Sequence, residues 1–246
     1  MHLNSALISS FLLASVSLAG RPRSQRQNLV QKPANTSSDG VVYNNGFAGL
    51  VWPLDNGTFY SVNGTVTIPK VSGPTNASAT IAVGIDGTVC PGSSAILQAG
   101  VDAIVTSSGI DYKAWFESDS YTDIDNNLMI SASDHIQLTV QAWDEHSGFA
   151  VIKNLNTGQQ ASRQLQSSEP LCRQKVYCGV ETMWTADTMF PFPSFDAVTF
   201  TDAVATSTSG QPYGPQGAMI YDIELNGTVM TSVTCLADYS VTIKYV

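Results

Sequence analysis

The sequence predicts an all-β chain, an antiparallel two-sheet sandwich formed by one domain over residues 41–246. Three observations predict it. Turn pairs recur at short intervals, among them Asn56-Gly57, Asn63-Gly64, Asp86-Gly87, Thr157-Gly158 and Asn226-Gly227. The segments between them favour Val, Ile, Thr and aromatic residues in period-2 alternation. No segment carries the apolar stripe of an amphipathic helix, and no internal repeat stands out.

Taken in chain order, the first element is not part of the sandwich. Residues 6–19 form a short apolar run that ends in Ser17-Leu18-Ala19, a small-x-small pattern, and residues 1–19 therefore read as a secretory signal peptide. The run is too short to span a bilayer, and no later stretch reaches the roughly 20 apolar residues a span requires. A basic pro-segment over 20–40 follows. Residues 1–38 hold Arg21, Arg23, Arg26 and Lys32 and no Asp or Glu.

The clearest strand runs over 135–143, where Ile136, Leu138, Val140 and Ala142 alternate with Gln137, Thr139 and Gln141. Similar alternation marks 149–155, 197–203, 219–225 and 241–246. Three further strand-like segments place chemistry on one face. Gln98 and Asp102 flank Gly100 in 95–102; Lys113, Trp115 and Glu117 alternate in 113–117; Tyr177, Gly179 and Glu181 alternate in 177–181. A glycine between two polar groups leaves room for a ligand backbone. Each of these faces is equally readable as the solvated side of a sandwich.

Charge and cysteine content bound the setting. Removing the basic leader and pro-segment leaves 7 Lys+Arg against 20 Asp+Glu, a formal charge of 7 − 20 = −13. Such a domain repels nucleic acid and anionic membranes, so neither is expected as a partner. Near pH 4 about half of the carboxylates are protonated, which relieves the self-repulsion and suits an acidic medium. Sequons at Asn35, Asn56, Asn63, Asn76 and Asn226 read as glycan acceptors, the last four in the sandwich domain, and agree with a secreted, extracellular chain. Cys90, Cys172, Cys178 and Cys235 are even in number, which favours two disulfides, and no C-x-x-C pair supports a zinc site. No metal or cofactor is expected.

Elimination narrows the chemistry. The mature domain has two histidines, His135 and His146, both in turn-like settings and neither in an H-E-x-x-H pattern. The D-T-G and D-S-G loops of pepsin-like proteases are absent. Carboxylate and amide chemistry remains.

The chain resembles the glutamic peptidases (eqolisins, peptidase family G1), secreted fungal acid proteases with a Gln/Glu pair on a β-sandwich. The residues that carry the resemblance are Gly84-Ile85-Asp86-Gly87, then Cys90, then Ile96-Leu97-Gln98-Ala99-Gly100-Val101-Asp102 and Tyr112-Lys113-Ala114-Trp115-Phe116-Glu117. It continues through 154–159, Leu171-Cys172-Arg173, Glu181 and the closing 241–246. The resemblance implies a concanavalin- or lectin-like jelly roll and an endopeptidase active in acid on protein or peptide substrates. It implies Gln98 and Glu181 as the catalytic pair, and Asp86, Asp102, Trp115 and Glu117 as substrate-binding or supporting residues. It also implies a Cys90–Cys172 disulfide, after which Cys178 and Cys235 are left to each other. The basic pro-segment is the expected inhibitory partner, and a monomer suffices. On this reading Glu181 takes a proton from a water held between it and Gln98, while the Gln98 amide donates to the oxyanion.

Departures from the family lie around the pair. Ala82 stands where the family has Trp, Phe47 replaces another Trp, and Tyr177 replaces a Glu. Lys113 replaces an Asp and is placed to pair with Glu117, and two extra residues lie between Cys90 and Gln98. Two other readings use the same residues. One is a carbohydrate-binding or wall-associated sandwich without peptidase activity, stacking Trp115, Trp143 and Trp184 on sugars. The other is a glycoside hydrolase using Glu117 and Glu181.

Overall fold

A computed structural model describes residues 35–36, 40–55, 57–87, 93–119, 121–184, 188–236 and 239–246. In chain order its strands are β1 (Asn35–Thr36), β2 (Val42–Asn44), β3 (Phe47–Pro53), β4 (Phe59–Thr67), β5 (Ser78–Asp86), β6 (Ile96–Thr106), β7 (Gly109–Ser118), β8 (Thr122–Asp125) and β9 (His135–Ala142). They continue as β10 (Ser147–Asn154), β11 (Gln160–Gln166), β12 (Lys175–Thr182), β13 (Ala197–Ser207), β14 (Pro212–Tyr213), β15 (Met219–Leu225), β16 (Thr228–Val229), β17 (Thr231–Leu236) and β18 (Ser240–Tyr245). Among the described residues every regular element is a strand.

The strands form two sheets. A ten-stranded sheet runs β1-β2-β15-β3-β12-β5-β6-β7-β8 with β16 on β15, and an eight-stranded sheet runs β11-β10-β9-β4-β13-β18-β17 with β14 on β13. All pairings are antiparallel except β15 with β2. The sheets pack face to face on one core. Ile81, Val83, Leu97, Ala99 and Phe116 come from the first sheet, and Val62, Leu138, Val140, Phe200 and Ile243 from the second. Each fully buried large side chain contributes about 1.5–3 kcal/mol.

The expected two-sheet sandwich is therefore what forms. The alternating segments become β9, β10, β13, β15 and β18, with β15 spanning the residues read from the sequence. β13 runs on to Ser207 across a bulge between Thr201 and Val204, an insertion that alternation alone does not report. No alternation marks β5, because every residue from Ser78 to Asp86 is buried. A strand covered on both faces reads as a continuous run.

Asp86 joins the ends of β5 and β12. Its carboxylate accepts the backbone N–H of Arg173 (2.7 Å), Gln174 (3.1 Å) and Lys175 (3.4 Å). Burial pushes this carboxyl above its ordinary range, while the same backbone N–H groups pull it back.

Cys172 is disulfide-bonded, and Cys90, its expected partner, lies outside the described residues. The expected Cys178–Cys235 pairing is corrected: both are free thiols. Cys178 belongs to β12 and Cys235 to β17, in opposite sheets. The two thiols are near each other across the sheets: burial pushes the Cys178 thiol up, and Cys235 adds to that shift. Asn76 and Asn226 are exposed at left-handed turn positions, and Asn63 is half-buried on β4. Asn56, the signal peptide and most of the pro-segment lie outside the described residues, as does the Asn35 side chain.

Asp86→Asn turns one accepting oxygen into a donor facing backbone N–H, so urea unfolding at pH 6 should show a loss of about 1–3 kcal/mol. Because the folded carboxyl titrates above 3.8, its contribution is fullest below that value and fades as pH rises through the folded value. The gap between wild type and variant should therefore widen from pH 6 to pH 4; a gap that narrows contradicts the assignment.

Candidate active site

The outer face of the ten-stranded sheet, the side away from the common core, carries the residues singled out from the sequence. Register sets them in rows. Tyr177, Gly84, Gln98 and Glu117 are mutual partners across β12, β5, β6 and β7. The next row holds Gly49, Gly179, Ala82, Gly100 and Trp115, and the one beyond holds Phe47, Glu181, Thr80, Asp102 and Lys113. The strand alternation predicted from sequence thus brings Gln98, Asp102, Trp115, Glu117 and Glu181 to one face.

Gln98 is fully buried and held at both ends of its amide. Its Nε2 donates to Glu117 Oε2 at 3.1 Å, and its Oε1 accepts the Tyr177 hydroxyl. These two partners fix which way the amide points: its oxygen is taken by Tyr177, and one of its two N–H groups by Glu117. Tyr177 can reach because β5 presents Gly84 between β12 and β6. A Cβ there would stand 2.3 Å from the Tyr177 hydroxyl and 2.4 Å from Cζ. The same device recurs in the next row. A Cβ on Gly100 would meet the Trp115 ring at 2.6 Å, and one on Gly179 would meet the Phe47 ring at 2.6 Å. The face thus packs aromatic rings against glycines, which leave them the space a Cβ would take.

Glu181 and Asp102 are buried, retaining 3% and 4% of full exposure. Asp102 accepts the Thr80 hydroxyl at 2.7 Å. Sequence reasoning missed Thr80, since β5 shows no alternation by which to place it on a face. Gln98 and Glu181 share the face but not a row. β5 separates their strands, and Glu181 stands four residues beyond Tyr177, about 13 Å along the strand at roughly 3.3 Å per residue. The row between them, small at Gly179, Ala82 and Gly100, is the floor of the site.

Several expected contacts are different. Lys113 pairs with Asp111 at 3.3 Å, because Asp111 is two residues away on the same face of β7 and Glu117 is four, about 13 Å along the strand. Trp115 is fully buried over Gly100, which removes it as an exposed stacking platform for sugar. Trp184 donates to the Thr182 hydroxyl at 2.8 Å. Beyond the site, Phe47 and Tyr177 meet edge to face with centroids 5.7 Å apart, inside a small apolar cluster with Val42, Val51 and Tyr221. Lys175 lies over the Tyr221 ring at 5.9 Å. Burial lowers the Lys175 ammonium pKa and the Asp86 carboxylate opposes that shift.

A family model for the peptidase A4 family matches residues 45–245. Aspergillopepsin-2 of Aspergillus niger is 34% identical over 227 residues, covering 83% of this chain and 78% of its own length. Scytalidopepsin B of Scytalidium lignicola is 34% identical over 183 residues, covering 70% and 68%. Among solved structures, scytalido-glutamic peptidase with a transition state analog inhibitor superposes with a TM-score of 0.74 at 31% identity, over 82% of this chain and 99% of that one.

Gly84→Ala should push the Tyr177 ring off Gln98 and cost about 1–3 kcal/mol of stability, as overpacking does. Combining it with Tyr177→Ala should cost at least about 0.5 kcal/mol less than the sum of the two single changes, since the clash needs both side chains. Thermal unfolding of the four proteins measures the coupling, and strict additivity contradicts this packing.

Proposed function

This chain belongs to the peptidase A4 family, the glutamic peptidases, and on that premise we propose that it cuts protein substrates in an acidic extracellular medium with Gln98 and Glu181 as its catalytic pair. The observation that carries the reading is the anchored amide of Gln98. With Oε1 taken by Tyr177 and one N–H by Glu117, the amide keeps a second N–H to offer a developing oxyanion. An amide does not titrate, so this donor is the same at every acid pH.

Glu181 supplies the proton chemistry. As a carboxylate it takes a proton from a water that attacks the scissile carbonyl, and the protonated Glu181 then gives its proton to the leaving amine. The reading requires the Glu181 and Gln98 side chains, two outward rows and about 13 Å apart along the strands at roughly 3.3 Å per residue, to converge on one scissile carbonyl between them. A base for acid conditions needs an ordinary or low carboxylate pKa, which histidine lacks. Peptide is the substrate class because the solved relative holds a transition state analog inhibitor and bears the name peptidase. Asp102, held by Thr80, and Glu117 support the two ends of the site.

The basic pro-segment completes the reading. Arg21, Arg23, Arg26 and Lys32 face a domain of formal charge −13, counted above from the same sequence. The attraction weakens as carboxylates protonate, so processing belongs to acid. Cys90 is assigned to Cys172 on the same family grounds.

Hydrolysis of a denatured protein from pH 2 to 7 tests the pair. Gln98→Ala and Glu181→Gln should each lower kcat at least about 100-fold, the scale of a lost oxyanion donor or general base. Cleavage that survives both substitutions sinks the assignment. Tyr177→Phe removes one anchor of the amide and should lower kcat about tenfold with KM held within twofold, and an unchanged kcat rejects the positioning role of Tyr177. The precursor should mature at pH 4 and persist at pH 7; equal processing at both removes the electrostatic account.

A further inference from the structure

The side of the molecule opposite the site has its own composition. Of the 20 Asp and Glu in the chain, the eight strands of the second sheet hold one, Asp202, at the bulge of β13. Their outward positions are Ser, Thr, Asn and Gln with few exceptions. Lys153, Lys244 and His135 are the outward cations among them. Gln164 and Gln166 are exposed there in adjacent rows, with Gln137 exposed two outward rows beyond Gln164.

At one end of this neutral face stands an aromatic pair. Trp143, which continues β9 by donating its N–H to the Ser147 carbonyl, is 48% exposed and stacks on Phe149 of β10, with centroids 5.8 Å apart and planes 9° from parallel. Tyr60 is beside them, its hydroxyl 3.5 Å from the Gln141 side chain, and Gln141 is the register partner of Phe149. The stacked pair presents an aromatic surface to solvent on an otherwise hydrophilic face.

We propose that the Trp143–Phe149 pair and the amide rows beside it are a docking face for a neutral polysaccharide with flat pyranose rings, of the β-linked glucan class. Such rings offer C–H faces to stack on aromatics and hydroxyls to share with Gln, Ser and Thr. Charge selects among occupants. The strands themselves offer the basic pro-segment only Asp202, with Asp144 and Glu145 exposed in the turn that follows Trp143; an anionic polymer meets those two carboxylates beside the aromatic pair and only scattered cations, and a protein partner finds no broad apolar centre. A neutral polyhydroxyl needs none of these. Docking through this sheet leaves the outer face of the other sheet, with Gln98 and Glu181, turned away from the polymer.

The test is retention of the full chain on insoluble cellulose, with soluble-peptide hydrolysis measured in parallel. Wild type should be retained. Trp143→Ala/Phe149→Ala should reduce retention at least tenfold with hydrolysis within twofold of wild type, and Trp143→Tyr should restore most of the retention. Polygalacturonate beads, as an anionic control, should retain little. Asn63 lies on this face and is a sequon, its Nδ2 donating to the Asp202 carbonyl at 3.0 Å. Retention that appears only in Asn63→Gln would give the face to the chain's own glycan and overturn the proposal. So would no retention of any form, equal retention of the aromatic double variant with folding intact, or retention on polygalacturonate alone.

Discussion

Close packing of aromatic rings against glycine backbone is the constraint on which the candidate site depends. Gln98 is a fully buried amide, and a buried amide is tolerated only when its oxygen and nitrogen are both hydrogen-bonded. Glu117 is its neighbour in register, but Tyr177 is two strands away and reaches it only across Gly84. Gly100 beneath Trp115 and Gly179 beneath Phe47 extend the same floor. Any side chain at these positions would lift a ring and unfasten the amide or narrow the space between the Gln98 and Glu181 rows.

The carboxylates divide into two groups with opposite responses to acid. Burial raises Asp86 and Asp222, so each favours the fold most when protonated and loses that contribution as pH rises through its folded value. Burial also acts on Asp119 and Asp125, but hydrogen bonds from Ser168 and Ser167 to the first, and from Asn127, Leu128 and Arg163 to the second, outweigh it. These two stabilise above the ordinary carboxylate range and lose their contribution as pH falls through their depressed values. The fold thus carries acid-favouring groups where a carboxyl is sequestered and acid-sensitive ones where it caps a loop.

The positions that set this chain apart from its relatives have distinct physical consequences. Tyr177 gives Gln98 a hydroxyl donor to its amide oxygen. Ala82 leaves the centre of the floor low, where a tryptophan would have built a wall. Lys113 is held by Asp111 and brings a cation to the row of Glu181 and Asp102. The departures cluster on the outer face of one sheet, while the core between the sheets follows ordinary β-sandwich packing.

Much of this was legible in the residues. Period 2 was enough to place Gln98 with Asp102, Trp115 with Glu117, and Tyr177 with Glu181, because alternation within a strand is a local property of the backbone. It also carried the fold class, since hydrophobic alternation between turn pairs admits few alternatives. Three facts lay beyond it: the reach of Tyr177 to Gln98, the role of Thr80, and the free state of Cys178 and Cys235. Each depends on which strands become neighbours and in what register, a choice made by burying two whole sheet faces together. The acidic composition of the domain and its Gln/Glu residues belong to the sequence; their arrangement among the glycines of one sheet face belongs to the tertiary structure, because only sheet pairing brings side chains from distant segments into one row.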